Sequence, residues 1–360
     1  MLYPALITEK LATVRYPGNG KTLTENGMVK DIRIDGDRVE LKIQFEKPND
    51  PFAASVVRSA EATLRRELGD KVEVKVEAQF KEEAPAPTER PLKNVKYKIG
   101  ISSGKGGVGK STVAANLAVS LASQGFRVGL LDADIFGPSM PKMFGVEDEG
   151  IYLVNQDGRD WMEPIEKYGV KMLSIGFVVD KDKAVVWRGT MASNALKQLI
   201  TDAWWGDLDF FLIDLPPGTS DIHLTTIQTL DLDGAVVVTT PQEVALADAR
   251  KGVEMFRNDK INIPVLGIVE NMAWFTPLPH PEEKYYIFGN GGGVRLAEEL
   301  NVPLLARIPL VAEICEKADQ GSPVSLALAA EPADGITENP VAKAFHDLSL
   351  NLLFTLDPGK

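Results

Sequence analysis

The chain has 360 residues, a single cysteine, and a net charge of −12 from 39 Lys and Arg against 51 Asp and Glu. The length suits about two domains, and the acidic excess argues against nucleic acid as the main partner, because phosphate binding needs a clustered positive field. One cysteine excludes an intramolecular disulfide, a C-x-x-C pair and a multi-cysteine metal site within one chain.

The first eighty residues predict a small α+β domain. Val39, Leu41, Ile43 and Phe45 alternate with polar residues as a half-buried strand should. Ile32 and Ile34 belong to a preceding strand, and Asp35-Gly36 makes the tight turn between the two. A helix follows, with Asp50 as its cap, Pro51 at its first position and Gly69 at its end. Val56, Ala60, Leu64 and Leu68 supply its apolar stripe, and Val72, Val74 and Val76 predict a last strand. Residues 81–94 contain Glu-Glu-Ala-Pro-Ala-Pro-Thr-Glu, which is polar, proline-bearing and aperiodic, and read as a linker. Residues 95–360 alternate short apolar runs (99–101, 128–131, 210–213, 235–238 and 265–269) with helical stretches such as 111–124, 192–203 and 244–258. Runs that are apolar throughout suit strands buried on both faces. The fold class is therefore α/β, a mainly parallel sheet covered by helices. No apolar run approaches the roughly 20 residues needed to span a bilayer, and the first residues lack the pattern of a signal peptide, so a cytoplasmic location is expected.

Gly104-Lys105-Gly106-Gly107-Val108-Gly109-Lys110-Ser111-Thr112 matches G-x-x-x-x-G-K-[ST] between an apolar strand and a helix. Its glycines let backbone N–H groups surround a polyphosphate, and the following helix adds the positive end of its dipole. Lys110 can neutralise the β- and γ-phosphates, and Ser111 can ligate Mg²⁺. This makes the second domain a P-loop NTPase. Lys105 is a second lysine within the loop. With it, Ser102–Ser111 resembles the deviant Walker A loop of the MinD/ParA/nitrogenase-iron-protein class. That resemblance implies an ATP-sandwich homodimer in which Lys105 reaches the nucleotide of the facing subunit.

Further stretches sharpen the likeness: residues 132–139 (Asp-Ala-Asp-Ile-Phe-Gly-Pro-Ser), Trp187-Arg188-Gly189, residues 214–221 (Asp-Leu-Pro-Pro-Gly-Thr-Ser-Asp), Glu270-Asn271-Met272 and the glycine-rich 288–293. Together they resemble the Mrp/ApbC family of iron–sulfur cluster carrier ATPases. The front domain resembles the small iron–sulfur-assembly domain that precedes the P-loop domain in bacterial members.

Phosphoryl transfer to water needs a group that orients the water and groups that hold the metal's water shell. The resemblance assigns the water to Asp134, and Asp132 is expected to support the Mg²⁺ shell. Asp214 ends an apolar strand, a Walker-B position from which a carboxylate can hold Mg²⁺ through water. Four residues on, the Gly218 N–H can meet the γ-phosphate in an arrangement that resembles switch II. The resemblance places an adenine-reading amide at Asn271, able to pair bidentately through one donor and one acceptor, and the Ile308-Pro309 loop forms the other side of the base pocket. Arg188 is left outside the site. His223, His280 and His346 are expected to be structural or exposed.

Members of the resembling family typically carry Cys-x-x-Cys after the Asn-Met pair, which in a dimer can hold a [4Fe–4S] cluster with four thiolates. Here residues 272–289 contain no cysteine, and Thr276 to Pro279 stand roughly where the pair belongs. Cys315, the only thiol, reads as a small buried residue of a helix, so no iron–sulfur ligands are identified. A [4Fe–4S] cluster is implied by the family resemblance alone. The expected function is that of a dimeric ATPase of iron–sulfur cluster assembly using ATP and Mg²⁺. It would bind or transfer clusters to apoprotein clients, or act as a nucleotide-gated adaptor, with iron–sulfur assembly proteins as further partners. The alternative is a MinD/ParA-like positioning ATPase. Residues 341–354 carry only Lys343 and His346 as basic groups and read as a core-packing helix, so membrane binding is not expected.

Overall fold

The computed structural model describes residues 2–45, 50, 52–69, 72–80, 92–135, 137–156, 158–178, 189–218, 221–277, 280, 282–330 and 339–357. The chain divides into two compact units, Met1–Arg90 and Pro91–Lys360. Most of the segment read as a linker, and Arg188 with its neighbour Trp187, lie outside the described residues.

The first unit runs α1 (Pro4–Leu11), β1 (Val29–Asp35), β2 (Arg38–Phe45), α2 (Ala53–Leu68) and β3 (Glu73–Phe80). β1 and β2 form an antiparallel hairpin through the turn expected at Asp35-Gly36, and β2 pairs in parallel with β3 after the α2 crossover. The period-2 pattern buries Val39, Leu41, Ile43 and Phe45 against the stripe Val56, Ala60 and Leu64 of α2. α1, which was not anticipated, adds Ile7 and Leu11 to this core. The start of α2 also differs from expectation. Phe52, not Asp50, is the N-cap, and the Asp50 carboxylate accepts from the Phe52 N–H at 2.8 Å just before the helix. Asp50 thus orders the approach to the helix.

The second unit is a sheet of eight strands in the order β13-β12-β11-β4-β10-β5-β9-β8. In chain order its elements are β4 (Val95–Ser103), α3 (Lys110–Ser123), β5 (Val128–Asp132), α4 (Met140–Met143), the hairpin β6 (Tyr152–Gln156) and β7 (Arg159–Glu163), β8 (Ile165–Lys167), β9 (Val170–Ser174), α5 (Gly189–Thr201), β10 (Leu208–Asp214), α6 (Asp221–Leu230), β11 (Gly234–Thr239), α7 (Glu243–Arg257), β12 (Val265–Glu270), α8 (Gly292–Leu300), β13 (Leu304–Arg307), α9 (Ala312–Asp319) and α10 (Pro340–Leu356). Within this sheet only β8 runs antiparallel to its neighbour. The strands read as fully apolar are those in the middle of the sheet, and β5 and β11 are buried at every position. Two apolar layers cover the sheet. One gathers α3 and α10, through Val113, Leu117, Leu121, Phe345, Leu348 and Leu352. The other gathers α5 and α7, through Leu196, Leu199, Val253 and Phe256. α10 is a core-packing helix, as its spacing predicted. Among the described residues no helix is long and apolar enough to cross a membrane.

Candidate nucleotide site

Five adjacent parallel strands, β12, β11, β4, β10 and β5, end on the same edge of the sheet, where an open α/β fold binds its ligands. The loop after β4 carries the phosphate motif. Two of its glycines are dictated by neighbours. A Cβ on Gly104 would lie 2.1 Å from the Asp248 carbonyl carbon, because the α7 backbone passes directly against the loop. Gly109 caps α3 in the left-handed region, with φ +81°, and a Cβ there would lie 2.2 Å from Asn271 Nδ2. By contrast, a Cβ on Gly106 or Gly107 would meet nothing within 4 Å, so this part of the loop opens outward.

The register β10–β5 sets Asp214 directly beside Asp132. Into this acidic end of the sheet reaches Lys110, the first residue of α3. Its Nζ lies 2.6 Å from Asp214 Oδ1 and 3.4 Å from Asp134 Oδ2, and Ser111 Oγ donates to Asp214 Oδ2 at 2.6 Å. Asp214 is fully buried, and burial holds its carboxyl above the usual range, opposed by Lys110 and Ser111. Asp134 is 8% exposed, and its Oδ1, though buried, accepts no hydrogen bond among the described residues.

Asp132 was expected beside the Mg²⁺ shell, but both of its oxygens are engaged elsewhere. Oδ1 accepts from the Asp134 N–H, and Oδ2 accepts from the Ser139 and Met140 N–H groups and from Ser174 Oγ. Burial first, and then the charge of Asp214, push its pKa up to about 7. Asp132 therefore organises the loop that carries Asp134. Ser174, at the end of β9, belongs to a strand the apolar runs did not reveal.

In the switch-like segment the Gly218 N–H donates to the Ser103 carbonyl at 3.0 Å, at the root of the P-loop. On the base side, the Asn271 N–H bonds the Thr239 carbonyl, and Asn271 Nδ2 donates to the Val108 carbonyl at 2.9 Å. One of the two N–H groups of this amide is thus engaged by the P-loop, and the other stands beside Oδ1 on the edge that bidentate pairing would use. Residues 270–274 and 308–310 run side by side, through Ile308 N to Glu270 O, Ala273 N to Ile308 O and Leu310 N to Trp274 O. This ladder places buried Pro309 beside Asn271. Lys105 is half-buried, and its carbonyl accepts from Ser103 Oγ.

Two features of the site carried no motif. Glu270, fully buried, accepts from Arg307 Nε at 2.7 Å and from the Gly293 N–H, tying β12 to β13 and α8. His223, expected to be structural or exposed, is wholly buried and bonded to the Pro216 carbonyl. Only its position nine residues after Asp214 could have hinted at this. His280 is exposed and His346 half-buried. His280, Glu282 and Glu283 come together on the exposed tip of the 272–289 loop, whose neck is the Phe275–Tyr285 bridge. Leu278 and Pro279 of that loop lie outside the described residues. Cys315, read as buried, is exposed, because α9 buries none of its residues.

Known families and proteins resemble this chain along most of its length. The family model described as NUBPL iron-transfer P-loop NTPase matches residues 94–345, and one described as iron-sulfur cluster assembly protein matches residues 5–76. The iron-sulfur cluster carrier protein of Synechocystis is 43% identical over 325 residues, covering 90% of this chain and 92% of the relative. That of Pseudomonas fragi is 49% identical over 283 residues, covering 78% and 92%. The solved structure of an Archaeoglobus fulgidus nucleotide-binding protein in complex with ADP aligns with 38% identity and a TM-score of 0.56, covering 64% of this chain and 88% of that one. On its P-loop, its strand-end carboxylates and these matches, the chain belongs to the family of iron–sulfur cluster carrier P-loop NTPases, with the family's small assembly domain in front.

Proposed function

We propose that the protein is an ATPase that acts as a homodimer in iron–sulfur cluster transfer, with nucleotide state controlling its hold on cargo or client. The observation that carries the ATPase reading is the convergence of Lys110, Ser111, Asp134 and Asp214 at the open mouth of the P-loop. The residues present fit Mg²⁺-ATP. Ser111 Oγ and Asp214 supply hard oxygens, the outer glycines leave room for phosphates, and the buried, unpaired Asp134 Oδ1 is an acceptor that hydration or a ligand would satisfy. Bound Mg²⁺ would neutralise charge on the transferring phosphoryl group. Lys110 exchanges its carboxylate partners for phosphate oxygens, and Asp134 orients the attacking water. Asp132 acts by holding the Asp134 loop. The free acceptor of Asn271 selects an amino group on the base, which adenine offers. Lys105 acts on the partner subunit's nucleotide.

The iron–sulfur cluster is cargo in this scheme. The chain has one cysteine, exposed on α9, so two copies offer two thiolates where a standard [4Fe–4S] cluster takes four. Cluster binding then requires ligands from a client or a small thiol, and the front domain recruits that partner. Phosphate release by the wild-type protein and by Asp134→Ala tests the engine: turnover is expected in the first and background in the second, and equal rates would remove the site assignment. Anaerobic reconstitution with iron and sulfide, with and without a monothiol, tests the cargo. A visible chromophore only with the thiol supports the reading, and a full cluster on the protein alone contradicts it.

A further inference from the structure

His223 lies in the first turn of α6, fully buried, its ring 5.9 Å from that of Phe256 on α7. Its Nδ1 is 2.9 Å from the Pro216 carbonyl oxygen. A carbonyl only accepts, so Nδ1 carries the proton and donates. Burial drives the imidazole pKa down to about 4, which keeps the ring neutral in this one tautomer. The bond ties the first turn of α6 back to the segment that leaves β10. There Pro216 and Pro217 have fixed φ, so the carbonyl held by His223 is joined to Gly218 by a stiff arm. Before the two prolines, the Leu215 N–H is anchored to the Ile101 carbonyl at 3.0 Å. The Gly218 N–H is the group on the arm that faces the P-loop, donating to Ser103 O.

We propose that His223 is a positioning residue for the phosphate site: by holding the Pro216 carbonyl from the buried side, it fixes where the Gly218 N–H can point. In the structure that direction is the Ser103 carbonyl. On ATP binding the same bracket presents the N–H to the terminal phosphate with little loss of freedom, and pre-placed donors are what stabilise charge in the transition state. Gly218 gains nothing from a donor at the far side of the imidazole. The relevant chemistry is one N–H at the δ position of residue 223.

This rests on the ATPase reading, and the test separates the two. Three full-length variants are compared with wild type. His223→Asn keeps an N–H at the δ position, His223→Gln moves it one bond further out, and His223→Leu removes it while keeping apolar bulk. Turnover with ATP and amide hydrogen exchange at Gly218 in nucleotide-free protein are measured for each, with a thermal melt to verify folding. Expected is a kcat within about threefold of wild type for Asn and a loss of about tenfold for Gln and Leu, with KM for ATP little changed. Gly218 exchange should accelerate about tenfold in Gln and Leu and stay slow in Asn. A role in packing alone would order the variants by melting temperature and leave Gly218 exchange tracking global stability. Equal exchange at Gly218 in all folded variants overturns the positioning role, whatever the turnover. Absent turnover in wild type overturns the ATPase reading, and the exchange contrast still decides on His223.

Discussion

Lys110→Met tests the electrostatic frame of the site apart from any nucleotide. Methionine preserves the buried aliphatic stem and removes only the ammonium group. In the wild type that group is 2.6 Å from Asp214 and 3.4 Å from Asp134, both deep in the site. Its removal leaves Asp214 buried with Ser111 as its remaining side-chain donor among the described residues. Breaking one side of a buried pair costs about 3–5 kcal/mol, which for a unit of this size lowers the melting temperature by roughly 6–15 °C. The loss should depend on pH. Burial already raises the Asp214 pKa against the pull of Lys110, so without that pull it rises further. The native state then holds a proton that the unfolded chain releases above about pH 4, and stability falls as pH climbs toward the raised native value. The penalty is therefore largest at pH 8 and relieved near pH 5. Adding Asp214→Asn, which keeps an acceptor for Ser111 and drops the charge, should restore at least half of the loss at pH 8. All five tryptophans (161, 187, 204, 205 and 274) lie in the second unit, so their fluorescence during urea unfolding reports on the unit that matters. A Lys110→Met protein as stable as wild type at pH 8, or a double variant no better than the single, would refute the reasoning.

Gly109→Ala should cost about 2–3 kcal/mol by the same fluorescence assay. Of this, about 1–2 arises from the left-handed backbone and about 1 from the Asn271–Val108 bond that a Cβ at 2.2 Å displaces. An unchanged urea midpoint would contradict the observed packing. The depressed pKa of His223 has the opposite sign to that of the buried acids. Unfolded His223 takes up a proton near pH 6.5 that the native ring refuses until about 4, so its contribution is present above pH 6.5 and lost as pH falls through that window. That amounts to about 3 kcal/mol, and His223→Asn should lack this part of the acid destabilisation in paired melts at pH 7 and 4.5. Lys105→Ala should abolish ATP-dependent dimerisation in light scattering while the nucleotide-free mass is unchanged, and a persisting ATP-dependent dimer would exclude the trans role.

The central sheet and the phosphate loop were legible because their signals are local. A buried parallel strand is apolar at every position, and a P-loop is a contiguous string of glycines and cations. β8 and β13 have three and four residues, too short for a period to register. β9 is interrupted by Lys171 and ends in a polar Ser174, so no apolar run marks it. The β6–β7 hairpin carries exposed Tyr152 and Leu153, which break the rule of polar outer faces. Within the site, residue types could be read but partners could not. Nothing in Asp132-Ala-Asp134 tells which acid faces the loop's own N–H groups. That is decided by Ser174, which pairs with Asp132 from the neighbouring strand β9, and by the backbone N–H groups of residues 139 and 140 in the loop that follows. Cys315 was misjudged for a related reason: cysteine is a buried residue on average, and α9 is a surface helix.

The groups expected to bind nucleotide are already bonded in the structure, and this sets what nucleotide can do. Lys110 holds Asp214, the Gly218 N–H holds Ser103 O, and Asn271 holds Val108 O. Binding is then an exchange of partners, and its net free energy is the difference between two sets of hydrogen bonds. Such exchanges move the elements that carry them only where the old and new partners differ in position. For Lys110 both partners lie within the mouth of the P-loop. For Gly218 the present partner, Ser103 O, lies at the root of the same loop, so in the proposed cycle the Pro216–His223 bracket stays in place while the N–H changes partner. On the other side, the 270–274 and 308–310 ladder joins Asn271 without interruption to Phe275, the neck of the loop in which the family's cysteine pair is missing here. In the proposed cycle that ladder is the hydrogen-bonded route from the base side of the site to this loop.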